Sequence, residues 1–327
     1  MFYGTEIIHP LNQYPIKVSN LRCDYKEGKE NKNKLRLWEK SDFIPRPDDI
    51  FQERLYCVQW MKKKTTGKGD DYQFRSVTAD DIEREQKIIE YVGLHLAEWQ
   101  EKGFIPDMVI EKGYNTDQPI RERGWTHWHH LFNPRQLLLA GLINKYSNST
   151  GKFCLSSAIN WNARLSPWDR SQIGGGGSVK NVFYNQALNT LYDYGCRASV
   201  SGLVFVKNKF SSYPIMTITD VRSLPAQDLS TENDIYITDP PYGDAVKYEE
   251  ITEFFIAWLR KTPPAEFANW TWDSRRALAI KGEGEGFRKG MIDSYRKMAQ
   301  KMPDNGIQVL MFTHQSGSIW ADMTNII

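Results

Sequence analysis

Four consecutive residues, Asp239-Pro240-Pro241-Tyr242, carry groups that fit one chemistry. An ionised aspartate only accepts hydrogen bonds, and the Pro240 carbonyl accepts with no N–H at its own residue. Together they can hold both hydrogens of a planar amino group. Tyr242 offers a flat face on which a base can stack. An amino group held this way turns its lone pair toward an electrophile. The set points to methyl transfer from S-adenosylmethionine to the amino nitrogen of an extruded adenine. The plainer alternative is a strand that ends in a Pro-Pro turn.

The surrounding elements must place this set at an accessible end. Ile235, Tyr236 and Ile237 form a β-branched and aromatic run that predicts a buried strand. Two prolines then stop the ladder and hold the preceding residues extended, giving a rigid elbow. In an open α/β sheet, ligands bind at the carboxyl ends of strands. Downstream, Phe254, Phe255, Trp258 and Leu259 predict an amphipathic helix over 250–260, stopped by Pro263 and Pro264. A helix is expected from about Arg288 to Lys301, a strand over 307–314, and a last helix capped by Ser318. Upstream, strands are expected at 202–206 and 215–219, followed by Asp220.

Asp239 to Tyr242 resembles the DPPY motif of amino-group DNA methyltransferases. The longer run from Thr238 to Tyr248, with 253–260, is similar to bacterial adenine-specific DNA methylases described as containing a Zn-ribbon, the "domain of unknown function 1156" type. Stretches 124–136 and 181–189 resemble the same family, and the likeness spans about Ile50 to Ile327. It implies a Rossmann-like, S-adenosylmethionine-dependent methyltransferase sheet acting on N6 of adenine in DNA. Some members of the family belong to phage-defence clusters. Asp239 and Pro240 would hold the target amino group, Pro241 would shape the elbow and Tyr242 would stack the base. Asp220 matches the acidic position near the cofactor adenine, against a plain turn-forming role.

Composition sets bounds. The 327 residues are 40% hydrophobic and 25% charged, as in a globular chain with ample core. Net charge is only +2, so DNA contact must rest on local patches. The four cysteines, 23, 57, 154 and 196, are widely spaced, which argues against a disulfide framework and against the family's zinc ribbon. No metal is expected. No apolar run is long enough to span a membrane and no signal peptide opens the chain, which reads as cytoplasmic.

Several other stretches carry candidate groups. Residues 22–40 hold seven basic and four acidic side chains, a solvated loop or a phosphate contact. A basic hairpin loop is expected at 62–68, between strand-like runs at 54–60 and 71–77. Thr78 and Asp81 open a helix with Ile82, Ile89, Val92, Leu96 and Trp99 on one face, ended by Gly103. Tyr114, Arg121, Arg123, Trp125, His127, Trp128, His129 and His130 suit a DNA- or cofactor-facing loop, plain packing, or, least well, a metal. Asn133 and Pro134 start an apolar helix, 153–160 reads as a strand or helix in the core, and 182–194 reads as a helix. Gly174 to Gly177 reads as a mobile loop, and Gly282 to Gly286 as a loop beside the site rather than a cofactor loop. Trp270, Trp272, Arg275 and Arg276 suit a target-contacting insertion.

The expected organisation is a mixed α+β accessory region, 1–129, and a methyltransferase-like catalytic domain, 130–327, that is incomplete. No Asp/Pro-Phe-x-Gly-x-Gly loop for the methyl donor occurs. The chain is therefore expected to be a fragment or one half of a split enzyme, with a second polypeptide supplying that loop. The rival readings are a non-catalytic DNA-binding or defence-complex subunit on this scaffold, and methylation of an RNA or protein amino group.

Overall fold

The fold is taken from a computed structural model, which describes residues 1–327 except 1, 4–5, 9–10, 64, 66–69, 170–176, 200–210, 212, 215, 242–245, 275 and 281–284. The chain divides into two compact units. One comprises 1–211 with 251–268; the other comprises 212–250 with 269–327. This division does not fall at residue 130. Arg164 bonds Glu53 and the Phe43 carbonyl as well as the His130 carbonyl, so residues before and after that position share one core.

The first unit begins with β1 (Phe2–Tyr3), β2 (Glu6–Ile8) and β3 (Pro15–Lys17), an antiparallel sheet, then α1 (Val18–Leu21). β4 (Tyr25–Glu27) pairs with β5 (Glu30–Lys32), and β6 (Cys57–Lys63) with β7 (Asp70–Ser76), both antiparallel. The expected hairpin is thus formed, with Trp60 opposite Gln73 and Met61 opposite Tyr72. Helix α2 (Ala79–Glu101) opens with a full Thr78/Asp81 capping box. It buries Val92, Leu96 and Trp99, whereas Ile82 at its first turn is exposed. Gly103 stops it at φ +76°, where a Cβ would lie 2.3 Å from Cβ of Lys261.

After α3 (Asp117–Arg123), Gly124 turns the chain at φ +72°, with the Arg36 carbonyl too close to admit a Cβ. Helix α4 (Pro134–Tyr146) carries the expected Asn133 cap with Gln136 answering it, and 149–160 is helix α5 (Ser149–Asn160). The short β8 (Trp168–Asp169) pairs with β9 (Ser178–Val179). Residues 182–194 form turns rather than the expected helix. The Val182 N–H goes to the Asn160 carbonyl at 2.7 Å and Gln186 sits at φ 58°, so tertiary bonds override propensity. The segment 250–260 is two pieces, α6 (Tyr248–Ile251) and α7 (Glu253–Leu259), broken at Thr252. Helix α7 supplies the aromatic centre of this unit. Phe254 stacks on Phe132 at 5.5 Å, and Trp258 meets Phe132 edge-on at 5.0 Å.

In the second unit, β10 (Ile235–Thr238) pairs in parallel with β11 (Ile307–Leu310), and α8 (Glu285–Gln300) lies between them in sequence. Helix α9 (Gly317–Ile326) follows Ser316, whose side chain makes no cap bond; Ser318, the expected cap, lies inside the helix. Phe287, Met291 and Tyr295 of α8 share a cluster with Met323 and Ile326 of α9. Spacings of four residues put the α8 members on one face.

Among the described residues, β-structure is one three-stranded and four two-stranded sheets. The β10–β11 pair alone is parallel, and no wider Rossmann-like sheet is assembled there. The expected strand 202–206 lies outside the described residues. Residues 216–219 form no ladder, and Met216 and Ile218 are exposed. β11 ends at Leu310, short of the expected 314.

Candidate active site

The strand before the motif forms as expected but is buried on one side only. Tyr236 is buried, with its hydroxyl 3.1 Å from the Lys301 carbonyl, while Ile235 and Ile237 are exposed. Strand alternation sends the next side chain, Thr238, back to the side of Tyr236. Its hydroxyl comes within 3.4 Å of the Tyr295 hydroxyl on α8. The last rung of the ladder is the Met311 N–H donating to the Thr238 carbonyl at 2.8 Å. Asp239 comes next and is exposed, Pro240 is half-buried and Pro241 is exposed. The carboxylate and the two prolines therefore stand at the carboxyl end of a parallel strand. Tyr242 lies outside the described residues.

Asp220 is placed differently. It is exposed on an irregular segment, and its carboxylate is taken by Arg222 two residues on. With its carboxylate engaged by Arg222, Asp220 stands as an exposed ion pair. The loop 282–286 lies mostly outside the described residues, as does 174–177 apart from Gly177.

The aromatic and basic stretch after Tyr114 is mainly core. Arg123, Trp125, Trp128, His129 and His130 are all buried. His129 Nε2 lies 3.0 Å from the Asp42 carbonyl, and His130 Nε2 lies 2.9 Å from that of Glu39. His130 Nδ1 accepts the N–H groups of Thr126 and His127, which fixes a neutral ring with its proton on Nε2. Burial, then the neighbouring histidines, hold His130 well below the ordinary imidazole range. Burial foremost brings His129 down to about 3. Both are structural clamps. Of that stretch, Tyr114 is the strongly exposed aromatic.

The basic run near the N-terminus is also engaged internally. Arg36 holds Asp49 through two bonds, at 2.8 and 2.6 Å, and also reaches Asp42 at 2.5 Å. Arg22 pairs with Asp24 at 2.6 Å and Lys40 with Asp107 at 3.1 Å. A cavity beside β4–β5 is lined by Asp24, Tyr25, Lys26, Asn31, Lys32, Asn33 and Arg121, none of them from the motif. In the second unit, Trp270 and Trp272 stack with centroids 6.3 Å apart. Arg275 lies outside the described residues.

Two buried polar hubs had no signal in the sequence pattern. Arg164, fully buried, bonds Glu53 at 2.6 and 2.8 Å and caps the His130, Phe132 and Phe43 carbonyls. Asn144 ties α4 to the 103–104 turn and to α7. Their partners lie tens of residues away, so local pattern gives no sign of them, beyond a polar residue in an apolar helix for Asn144.

Comparison with known proteins gives no match to any family model, any curated protein or any solved structure. Among the described residues no helix is long and apolar enough to cross a membrane.

Proposed function

We propose that this chain is the target-base half of an amino-group methyltransferase acting on N6 of adenine in DNA. The observation that supports it best is the exposed Asp239, followed by Pro240 and Pro241, at the carboxyl end of parallel strand β10. There the Asp239 carboxylate and the Pro240 carbonyl can each accept one hydrogen of an amino group. The pair would aim the nitrogen lone pair at a bound donor, which would supply the methyl group by losing its S–CH3 bond, and the extra proton would pass to water once the nitrogen is positively charged. The methyl donor of this reading is S-adenosylmethionine, and a second polypeptide supplies its binding loop. Support for the partner is the exposure of Ile235, Ile237, Ile307 and Val309, which pair across one face of β10 and β11. Parallel strands are ordinarily covered on both faces. A setting in restriction-modification or phage defence, in the cytoplasm, rests on the family resemblance alone.

The test is transfer of labelled methyl to adenine-containing DNA by the chain with its neighbouring-gene product, using wild type and Asp239→Ala. Loss of transfer in the variant, with unchanged folding, is the expected result. Equal transfer by both would overturn the reading. The ion-paired Asp220 favours one rival, a DNA-binding subunit without catalysis. DNA binding with no S-adenosylmethionine binding, alone or with the partner, would select it. Transfer to RNA or to a protein amide but not to DNA would move the substrate class.

A further inference from the structure

The β6–β7 hairpin has two unlike faces. Side chains two apart on a strand share a face, so Tyr72 and Phe74 lie on one side, with Met61 and Gln59 opposite them. Phe74 meets Trp168 edge-on at 5.9 Å, which ties that side to the rest of the first unit. The other side carries Val58, Trp60 and Lys62 on β6, paired with Arg75, Gln73 and Asp71 on β7. Trp60 stands at the middle of it and is 50% exposed. The Arg75 guanidinium lies over its ring, 5.6 Å from the centroid.

The charges of this face are arranged around the indole. Lys62 is two residues beyond Trp60, and Arg75 is opposite Val58, two residues before it. A cation therefore emerges about 7 Å to either side of the ring along the ribbon. Both side chains are exposed, and among the described residues neither is ion-paired. Arg75 reaches the Gln73 side chain at 3.4 Å, and Asp71, also exposed, stands opposite Lys62 without pairing with it. By contrast Arg36, Lys40 and Lys102 are each taken by an acid. Two cations to one carboxylate leave this face a positive excess on either side of a flat ring.

We infer that the Trp60 face binds a single-stranded nucleic acid, with one base stacked on the indole and the flanking phosphates held by Lys62 and Arg75. A ring of this kind accepts the π-face of any base, and the cations track the backbone. The Arg75 guanidinium plane adds a second stacking surface beside it. A duplex keeps its bases paired and stacked inside, so it offers this ring nothing to stack. The assignment stands on this face alone and not on the chemistry of Asp239.

The experiment is fluorescence anisotropy with the full chain and a labelled oligodeoxythymidine, offered single-stranded and annealed to its oligodeoxyadenosine complement. Wild type should bind the single strand more tightly. Trp60→Ala should weaken that binding by about 5- to 150-fold, the range for losing one stacked base, while Trp60→Phe keeps a flat ring and most of the affinity. In the double variant Lys62→Gln with Arg75→Gln, the slope of log affinity against log salt should shrink by about 1.4, at about 0.7 for each phosphate contact on a single strand. Tyr72→Ala, on the other face, should stay within about threefold of wild type. Thymine has no exocyclic amino group for the Asp239 and Pro240 acceptors to hold, so Asp239→Ala should bind as wild type does, and this reading and the methyl-transfer reading can fail separately. Circular dichroism would confirm that each variant is folded. No binding by wild type, equal or tighter binding of the duplex, an equal loss from Trp60→Ala and Tyr72→Ala, or an unchanged salt slope in the double variant would each overturn the assignment.

Discussion

The Met311 N–H donates to the Thr238 carbonyl at 2.8 Å, and the residue after Thr238 is Asp239. This last rung of the β10–β11 ladder fixes where the strand stops and hence where the carboxylate emerges. Met311→Pro deletes the donor and leaves a ladder carbonyl unmet. A stability loss of about 1–3 kcal/mol is expected in urea unfolding, with methyl transfer lowered as Asp239 shifts. An unchanged midpoint and unchanged transfer would show that the rung does not position the motif.

The two acceptors of the motif should respond differently to mutation. Asp239→Ala removes one acceptor outright and should cut transfer by about 100-fold or more, the scale for losing one aimed electrostatic contact. Pro240→Ala keeps the backbone carbonyl and mainly frees the chain, which should cost less than about tenfold. A kinetic comparison of the two variants checks the order. A larger effect at Pro240 than at Asp239 would sink the acceptor pair.

Asn144 holds three parts of the first unit at once. Its Nδ2 donates to the carbonyls of Gly103 at 2.9 Å, Trp258 at 3.0 Å and Phe104 at 3.2 Å. Its Oδ1 accepts from Lys152 and, at 3.2 Å, from Thr262. Asn144→Ala removes the amide shared by the Gly103, Phe104 and Trp258 carbonyls, whereas the Lys152 ammonium, whose pKa burial lowers, keeps its 2.7 Å bond to the main-chain carbonyl of residue 144. A loss of about 1–3 kcal/mol is expected by chemical denaturation. A change under about 1 kcal/mol would mean that the hub contributes little beyond geometry.

What local pattern could specify, it specified. The Thr78/Asp81 box and the Asn133–Pro134 start are set by bonds within a few residues, the Gly103 stop of helix α2 by its own positive φ, and each forms. The strand before Asp239 is legible from Ile235 to Ile237, but its one-sided burial is not, because coverage depends on which layer packs against it. Residues 182–194 read as helix from side-chain spacing, yet Gln186 sits at φ 58°, outside the helical region, and the run folds as turns. The Arg164–Glu53 pair joins residues on opposite sides of helices α2 to α5 in sequence, and periodicity carries no trace of such a bond. At the candidate site, Asp239 is legible by residue type alone; the Asp220 assignment depends on a strand that its described residues do not form.

The histidine clamps give the first unit a pH signature with a definite sign. His129 and His130 are buried neutral, and both are held below the usual imidazole value, chiefly by burial and then by the facing imidazoles. Arg164 adds to the lowering, while the Asp42 and Glu39 carbonyls oppose it. The half-buried His127 is lowered as well, by burial and then by Lys40, against Asp107. In the unfolded chain these rings take up protons near pH 6.5, whereas in the fold they resist. The unfolded state binds more protons, so stability is fully present above pH 6.5 and falls as pH drops below it, continuing toward about 3 for His129. Each resisting histidine contributes about 1.4 kcal/mol per pH unit in that window. Urea midpoints measured between pH 7.5 and 5 should therefore fall steadily with acidification, above the range where Asp42, Asp49 and Asp107 begin to lose their own lowered-pKa contributions. A flat midpoint from pH 7 to pH 5 would show that these rings charge without cost, and the clamp would have to be rejected.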